Sequence, residues 1–304
     1  MKLSICIPTY NRKEKVLAQI NRIFGSGILD NNNQIELVVS DNCSDDNTYD
    51  ELVSNFGKEK EIRLFRQETN LGLVGNLYFL FDIAQGDYIW FLSDDDPLNP
   101  ESIKSLLSLM YSNPKSFYLL NFRTDQSTDV YWRKSDNNLS LFNNETWGGF
   151  GLLSVQVLKK SDFAEFYKTT KSSYNLCQPV AVSFYGLVYL DGMICFDIIS
   201  ITHHVGDYSW ADRSLQVGSV YLYDSLIELR KFGNIENYKQ VITTLKGLKS
   251  FSILSVIHIL KNRDISYAKR LYKGNLLLFV LFTMLCYGIR SRFLKIFKSK
   301  INDK

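Results

Sequence analysis

Between residues 3 and 125 the hydrophobic pattern switches period again and again, and this alternation constrains the fold more tightly than any other feature. Leu3 to Pro8 is a short apolar run closed by a proline and a polar turn. The next segment, "RKEKVLAQINRIF", sets Val16, Leu17, Ile20, Ile23 and Phe24 at helical spacing. "QIELVVSD" supplies a second strand at Ile35–Ser40, and "DDNTYDELVSNF" opens on Asp45 and Asp46 as capping residues of a helix. "EIRLFRQ" is a third strand, followed by a helix entered through Asn70 and Gly72 in "NLGLVGNLYFLFDIAQG". "DYIWFLS" and "SFYLLNF" are a fourth and a fifth strand, separated by a helix with Pro100 in its first turn. Strands alternating with helices predict an α/β fold, a Rossmann-like and mostly parallel sheet with helices on both faces.

Ligands of such sheets bind beyond the carboxyl ends of the strands. That rule gathers three polar clusters on one rim: "PTYNR" after strand one, "SDNCSDD" after strand two and "SDDDP" after strand four. The last is the most demanding. Asp94, Asp95 and Asp96 stand side by side at the end of a run without formal charge. Adjacent carboxylates in a low dielectric raise one another's pKa. Two arrangements relieve them: a solvated helix cap, or a hard divalent cation such as Mg²⁺ or Mn²⁺, which takes oxygen ligands and shares them with phosphate. Asp41 is either a turn residue or an acceptor for a base N–H or ribose hydroxyls. Thr9, Tyr10 and Asn11 are candidates to wrap a base, with Tyr10 stacking, and Arg12 is either a phosphate contact or a solvated helix residue.

After Phe122 the period is lost in a polar and aromatic stretch, the pattern of a functional loop or short hairpin. "FGLLSVQVL" reads as a strand followed by a helix from Asp162, and "GLVYLDGMICFDIISITHH" as a helix end, a turn at Asp191-Gly192 and a strand ending on His203 and His204. From Leu215 the signal is helical. The expected division is an α/β domain over residues 1–232 and a basic helical segment over 233–304. Residues 261–304 carry eleven Lys or Arg and two Asp, a charge of +9, against −6 for the rest. The basic residues flank the apolar run Gly274–Ile289, which fits an anionic membrane surface better than nucleic acid. Sixteen residues make roughly 24 Å of helix, short of the ~20 residues of a span, so an in-plane interfacial helix or a buried core helix is expected. Five scattered cysteines without a CxxC pair, and no signal-peptide pattern at the N-terminus, predict a reducing, cytoplasmic location.

In order and spacing, "SICIPTYNR", "ELVVSDNCSDDNT", "NLGLVGN" and "GDYIWFLSDDDPLNP" resemble a family 2 glycosyltransferase of the GT-A fold. The resemblance is strongest to the abequosyltransferase-like enzymes of bacterial surface-polysaccharide synthesis, in which "FLSDDD" replaces "FLDADD". It is close over residues 1 to 125 and looser to about 230. It implies a nucleotide-diphosphosugar donor, with Asp41 on the base and Pro8, Thr9, Tyr10 and Arg12 lining the nucleotide. It also implies Asp94 at the donor ribose or metal, Asp95 on a Mn²⁺ or Mg²⁺ ion, and Asn70, Gly72 and Asn76 at a helix entry beside the donor. Ser93 stands where many members carry the first acid of their Asp-x-Asp motif. Inverting members carry a Glu-Asp pair about 80 to 100 residues later that supplies the general base. Here "SSYNLCQPVAVSFYGLVYLDG" has Asp191 as its only acid, which is the catalytic candidate of that region or a structural turn residue. His203 is a candidate third metal ligand and His204 a group that steadies the leaving diphosphate, while Trp210 and Arg213 belong to a loop expected to close over the donor. A polyprenyl-linked saccharide is the expected acceptor, which the basic tail would bring within reach at the inner face of the cytoplasmic membrane. A nucleotidyltransferase would need a glycine-rich phosphate loop, which "PTYNRKEK" lacks. A catalytically degenerate nucleotide-sugar-binding scaffold of a polysaccharide assembly is the alternative.

Overall fold

The computed structural model of this chain describes residues 1–29, 34–134, 138–143, 146–170, 177–203, 216–233, 235–273, 276–277 and 280–281. Five strands follow the expected order: β1 (Leu3–Thr9), β2 (Ile35–Asp41), β3 (Ile62–Arg66), β4 (Tyr88–Phe91) and β5 (Phe117–Thr124). Between them run α1 (Lys13–Gly25), α2 (Thr48–Phe56), α3 (Gly72–Ile83) and α4 (Glu101–Ser112). The short strand β6 (Ser127–Val130) folds back on β5 as the hairpin expected of the aperiodic stretch. Then come β7 (Gln156–Lys159), α5 (Lys160–Thr170), α6 (Gln178–Phe184) and β8 (Gly192–His203).

The sheet order is β3-β2-β1-β4-β7-β5-β6, and β8 also pairs with β5. β1, β2, β3 and β4 pair in parallel. β7 lies between β4 and β5 antiparallel to both, so β5 and its parallel neighbour β8 run in the same direction as the first four. Every residue of β1, β2 and β4 is buried. This is why their sequences read as continuous apolar runs rather than as alternation. The helices pay out one face each: Val16, Ile20 and Ile23 of α1 and Ile103, Leu106 and Met110 of α4 are buried.

Helices over residues 235–246, 249–262 and 265–273 complete the described chain. Leu245, Leu248, Phe251 and Tyr267 are buried, and the Tyr223 hydroxyl donates to the Arg270 carbonyl at 3.1 Å. Phe232, at the expected domain boundary, packs its ring on Phe166 and Tyr185 at 5.6 and 4.9 Å between centroids. The corner between the last two helices keeps Ile257, Leu260 and Ile265 exposed, at 42%, 71% and 67%. Most of the apolar run Gly274–Ile289 lies outside the described residues. Among the described residues no helix is long and apolar enough to cross a membrane.

Candidate active site

Because six strands share a direction, their carboxyl ends meet on one rim, and a cleft of about 1090 Å³ opens there. Pro8, Thr9, Tyr10 and Arg12 enter it from the end of β1, Asp94 and Asp95 from beyond β4, and Asn70, Gly72 and Asn76 from the start of α3. Asp96 and His203 line it as well.

Each of the three adjacent aspartates has its own partners. Asp94 is buried, accepting from the Thr9 hydroxyl at 2.7 Å and from the Arg12 guanidinium at 2.9 Å. The same Arg12 nitrogen donates to Asp95 at 2.7 Å. Asp95 also accepts from the Ser93 hydroxyl at 2.5 Å, with Lys15 Nζ at 3.9 Å. Asp96 turns the other way: one oxygen meets His203 Nδ1 at 2.8 Å and the other accepts from the Ser154 hydroxyl at 2.6 Å. Burial pushes the Asp94 carboxyl above its ordinary value, against the pull of Arg12 and Thr9. For Arg12, burial favours the neutral form, but Asp94 and Asp95 outweigh it and hold the guanidinium above its ordinary value. Burial likewise lowers His203, and the hydrogen bond and charge of Asp96 overcome it to raise the imidazole.

The turn carrying these carboxylates is pinned from both sides by residues that the motifs did not point to. Gln19, on the buried face of α1, donates its amide to the carbonyls of Ser93 and Asp96 at 3.1 and 2.6 Å. Ser154 accepts the Ser93 N–H at 2.9 Å while holding Asp96. A polar Gln19 among Val16, Ile20 and Ile23 is the sequence signal that a helix face carries more than packing. Buried amides need partners.

Asp41 does not face the cleft. It is fully buried at the end of β2, where it accepts from the Ser44 N–H at 3.1 Å and from the Ser44 hydroxyl. Ser44 in turn accepts from the Asn11 N–H at 2.8 Å, so Asp41 ties the loop after β2 to the loop after β1. The adjacent Asn42 lines the cleft, donating to Asn70 at 2.9 Å and accepting the Leu71 N–H at 2.9 Å. Gly72 follows at φ +69, the left-handed region that glycine enters without strain. Asn76 is buried and exchanges hydrogen bonds with Ser40. Asp41→Ala would leave the Ser44 amide without its acceptor. It is expected to lower unfolding free energy in urea by about 1–3 kcal/mol, and nucleotide affinity with it. Unchanged stability and unchanged affinity together would show that the loop holds itself.

Asp191 is set apart from the cleft. It precedes β8, and β8 runs toward the cleft, so Asp191 sits at the opposite rim. There its carboxylate accepts from Lys115 Nζ at 2.9 and 3.0 Å. The turn at Asp191-Gly192 is where the sequence put it, but the strand direction carries it away from the other site residues. His204, Trp210 and Arg213 lie outside the described residues.

The Asp94–Asp95 pair offers an oxygen-only donor set, and a cationic group, the Arg12 guanidinium, already lies between its two members. That chemistry fits a hard divalent ion, which uses one or two carboxylates and fills the rest of its shell with phosphate and water. Among the described residues no group of three or more His, Cys, Asp or Glu side chains is arranged to hold a metal unaided.

A mostly parallel sheet of this order, with a carboxylate-rich turn after β4 facing a cleft at the strand ends, defines the GT-A class of fold. Within that class the chain belongs to glycosyl transferase family 2, whose description matches residues 4–172. It is 31% identical over 182 residues to the abequosyltransferase RfbV of Salmonella typhimurium, covering 53% of each chain. It is 33% identical over 108 residues to the GalNAc(5)-diNAcBac-PP-undecaprenol beta-1,3-glucosyltransferase of Campylobacter jejuni, covering 35% of this chain and 33% of that one. The chain thus spans about half or less of the length of these curated relatives. The mannosyltransferase PcManGT of Pyrobaculum calidifontis, solved with GDP-Man and Mn²⁺, superposes with a TM-score of 0.57. The match is 10% identical and covers 93% of this chain and 86% of that one, a likeness of fold.

Proposed function

We propose that this protein is a glycosyltransferase that moves a sugar from a nucleotide-diphosphosugar to a hydroxyl of a lipid-linked saccharide in bacterial surface-polysaccharide synthesis, of O-antigen or capsule. The observation that carries the reading is the Arg12–Asp94–Asp95 cluster, held at the cleft between the loops after β1 and β4. In the transfer the acceptor hydroxyl attacks the anomeric carbon, the bond from that carbon to the diphosphate oxygen breaks, and negative charge gathers on the departing nucleotide diphosphate. Arg12 and Lys15 line the cleft and are the chain's own cations for that charge. Asp95, with Asp94 behind it, would hold Mn²⁺ or Mg²⁺, which when bound supplies further electrostatic stabilisation to the leaving group. Asn42, Asn70 and Tyr10 are the groups for the nucleoside, with Asp41 shaping the loop beneath them. Incubating the protein with radiolabelled UDP-, GDP-, CDP- and dTDP-sugars and bacterial membrane lipid tests the reading. Label should pass from one donor into the lipid fraction, and nucleotide binding without transfer from any donor would instead favour a binding protein.

The acceptor's lipid places the reaction at a bilayer, on the inner face of the cytoplasmic membrane. The exposed aliphatic corner of Ile257, Leu260 and Ile265 is flanked by exposed Lys261, Arg263 and Lys269. Apolar side chains among cations suit the interface of an anionic membrane. The protein should sediment with phosphatidylglycerol vesicles and only partly detach in high salt. Leu260→Ser with Ile265→Ser should weaken partitioning by about a hundredfold or more, since each buried leucine or isoleucine contributes about 1.5–3 kcal/mol. Partitioning unaffected by the double substitution would move the contact elsewhere on the chain.

A further inference from the structure

The cleft has two halves of different chemistry, and the charged half described above accounts for only one. The other is floored by aromatic rings. Phe122, near the end of β5, stacks on Tyr131 at 4.2 Å between centroids and 24° between planes. Trp147, two residues before Gly149 in the same short helical turn, is half-buried and also lines the cleft. Gly149 lies against Tyr131, Trp132 and Phe122: a Cβ there would stand 2.8 Å from Tyr131 Cε1 and 2.9 Å from Trp132 Cζ2, so only glycine lets the backbone lie against them. Polar groups edge this floor, since Thr124 and Asp125 follow Phe122 and line the cleft too.

The two halves adjoin through a short chain of contacts. Asp96, next to Asp95, bonds to His203, and the His203 ring meets Phe122 edge-on at 6.2 Å. A molecule resting on Tyr131, whose ring is backed by the buried Phe122, is therefore a neighbour of one held at Asp95. Flat apolar rings edged by a hydroxyl and a carboxylate match a pyranose: its C–H face lies on aromatic surface and its hydroxyls reach the polar edge. Leu152, Leu153, Val180 and Val217 also line the cleft and would suit an isoprenoid chain, but a chain has no use for the Thr124 hydroxyl and the Asp125 carboxylate beside the rings. Sites for small ligands pair apolar surface with a few placed polar groups in this way.

We propose that the aromatic half of the cleft, with Tyr131 and Trp147 as its platform, binds a sugar ring of the acceptor and sets it beside the donor. The proposal deepens the glycosyltransferase reading and rests on it. It makes Tyr131 and Trp147 binding residues for the acceptor, with no part in holding the nucleotide. Gly149 is a positioning residue, because a methyl group there would tilt Tyr131 out of the platform.

Saturation-transfer NMR on the full chain, with methyl glycosides of glucose, galactose, mannose and rhamnose as probes, tests the assignment. Each is measured with and without UDP, GDP, CDP and dTDP, whose own affinities are read by calorimetry. At least one glycoside should receive saturation on its ring C–H protons. That affinity should fall by about tenfold in Trp147→Ala and Tyr131→Ala, as expected for lost aromatic contact, and should be kept in Trp147→Phe. Nucleotide affinity should stay within about twofold in all three, a change too small to signal a lost contact. Intrinsic fluorescence gives a second readout: Trp90 and Trp132 are buried, so a saccharide-induced change that persists in Trp210→Phe and is absent from Trp147→Phe reports on the platform. If no glycoside binds, or if binding survives both alanine substitutions, the proposal is overturned. If farnesyl phosphate binds in the glycosides' place and depends on Trp147, the surface belongs to the lipid and the proposal is also overturned. A protein that binds glycosides at Trp147 but no nucleotide would keep the platform and remove the donor reading.

Discussion

Asp95→Asn is expected to cripple sugar transfer, lowering turnover by about a hundred- to a thousandfold while leaving the protein folded. Asp95 is 26% exposed at the edge of the cleft, and its contacts are with Arg12, Ser93 and Lys15 rather than with the core. Ser93 and Arg12 donate to different oxygens of Asp95; asparagine keeps its one oxygen for Arg12 and turns its NH₂ to the Ser93 hydroxyl oxygen, which can accept, so the turn has no reason to unfold. What it loses is the charge. A neutral amide is a poor ligand for a hard cation. It also leaves uncompensated the field that stabilises a departing diphosphate, and one such electrostatic contribution is worth about a hundred- to a thousandfold in rate. Mn²⁺ binding, followed by loss of its free electron-paramagnetic signal, should weaken in parallel. Excess EDTA should reproduce the effect in the wild-type protein. Full activity in EDTA, or a variant within tenfold of wild type, would mean that Arg12 and Lys15 handle the leaving group alone.

The parts of this site that could be read from the sequence are those written in local pattern. The continuous apolar runs of β1, β2 and β4 disclose strands buried on both faces, and the rule that ligands sit at strand ends brings Thr9 and Asp94 together before any coordinates. They meet at 2.7 Å, 85 residues apart in the chain. What escaped depends on strand direction and on distant partners. β7 was legible as a strand within "FGLLSVQVL", but not that it inserts antiparallel between β4 and β5, which sets where Ser154 meets Asp96. Asp96 was readable as a helix cap, because its partner His203 is 107 residues away. The direction of β8 decided that His203 reaches the cleft while Asp191, twelve residues earlier and just before the strand, lies at the far rim. Asp41 was readable as a strand-end carboxylate. That it turns inward to Ser44 follows from the geometry of the loop, which no spacing encodes.

Arg12→Gln should destabilise the protein in a way that depends on pH and is repaired by divalent cations. One guanidinium nitrogen serves both Asp94 and Asp95, and the Asp94 side chain is only 3% exposed. Removing one member of a fully buried pair costs about 3–5 kcal/mol, and because Arg12 is 29% exposed the loss here should be smaller, about 1–3 kcal/mol. The sign with pH follows from Asp94. Its carboxyl is already raised above the ordinary value of 3.8 in the folded protein, chiefly by burial. A group raised on folding contributes its full stability below the unfolded value and loses it as pH climbs through the folded one. Without Arg12, which pulls in the opposite direction, the carboxyl rises further and the loss extends to higher pH. Melting temperatures of variant and wild type should therefore lie close together at about pH 4 and draw apart by about pH 7. Mn²⁺ should narrow the gap at neutral pH, since an ion between the two carboxylates restores the positive charge that the substitution removed. A gap that is constant with pH would assign the loss to packing of the arginine stem, and a gap that Mn²⁺ leaves unchanged would separate Arg12 from the cation site.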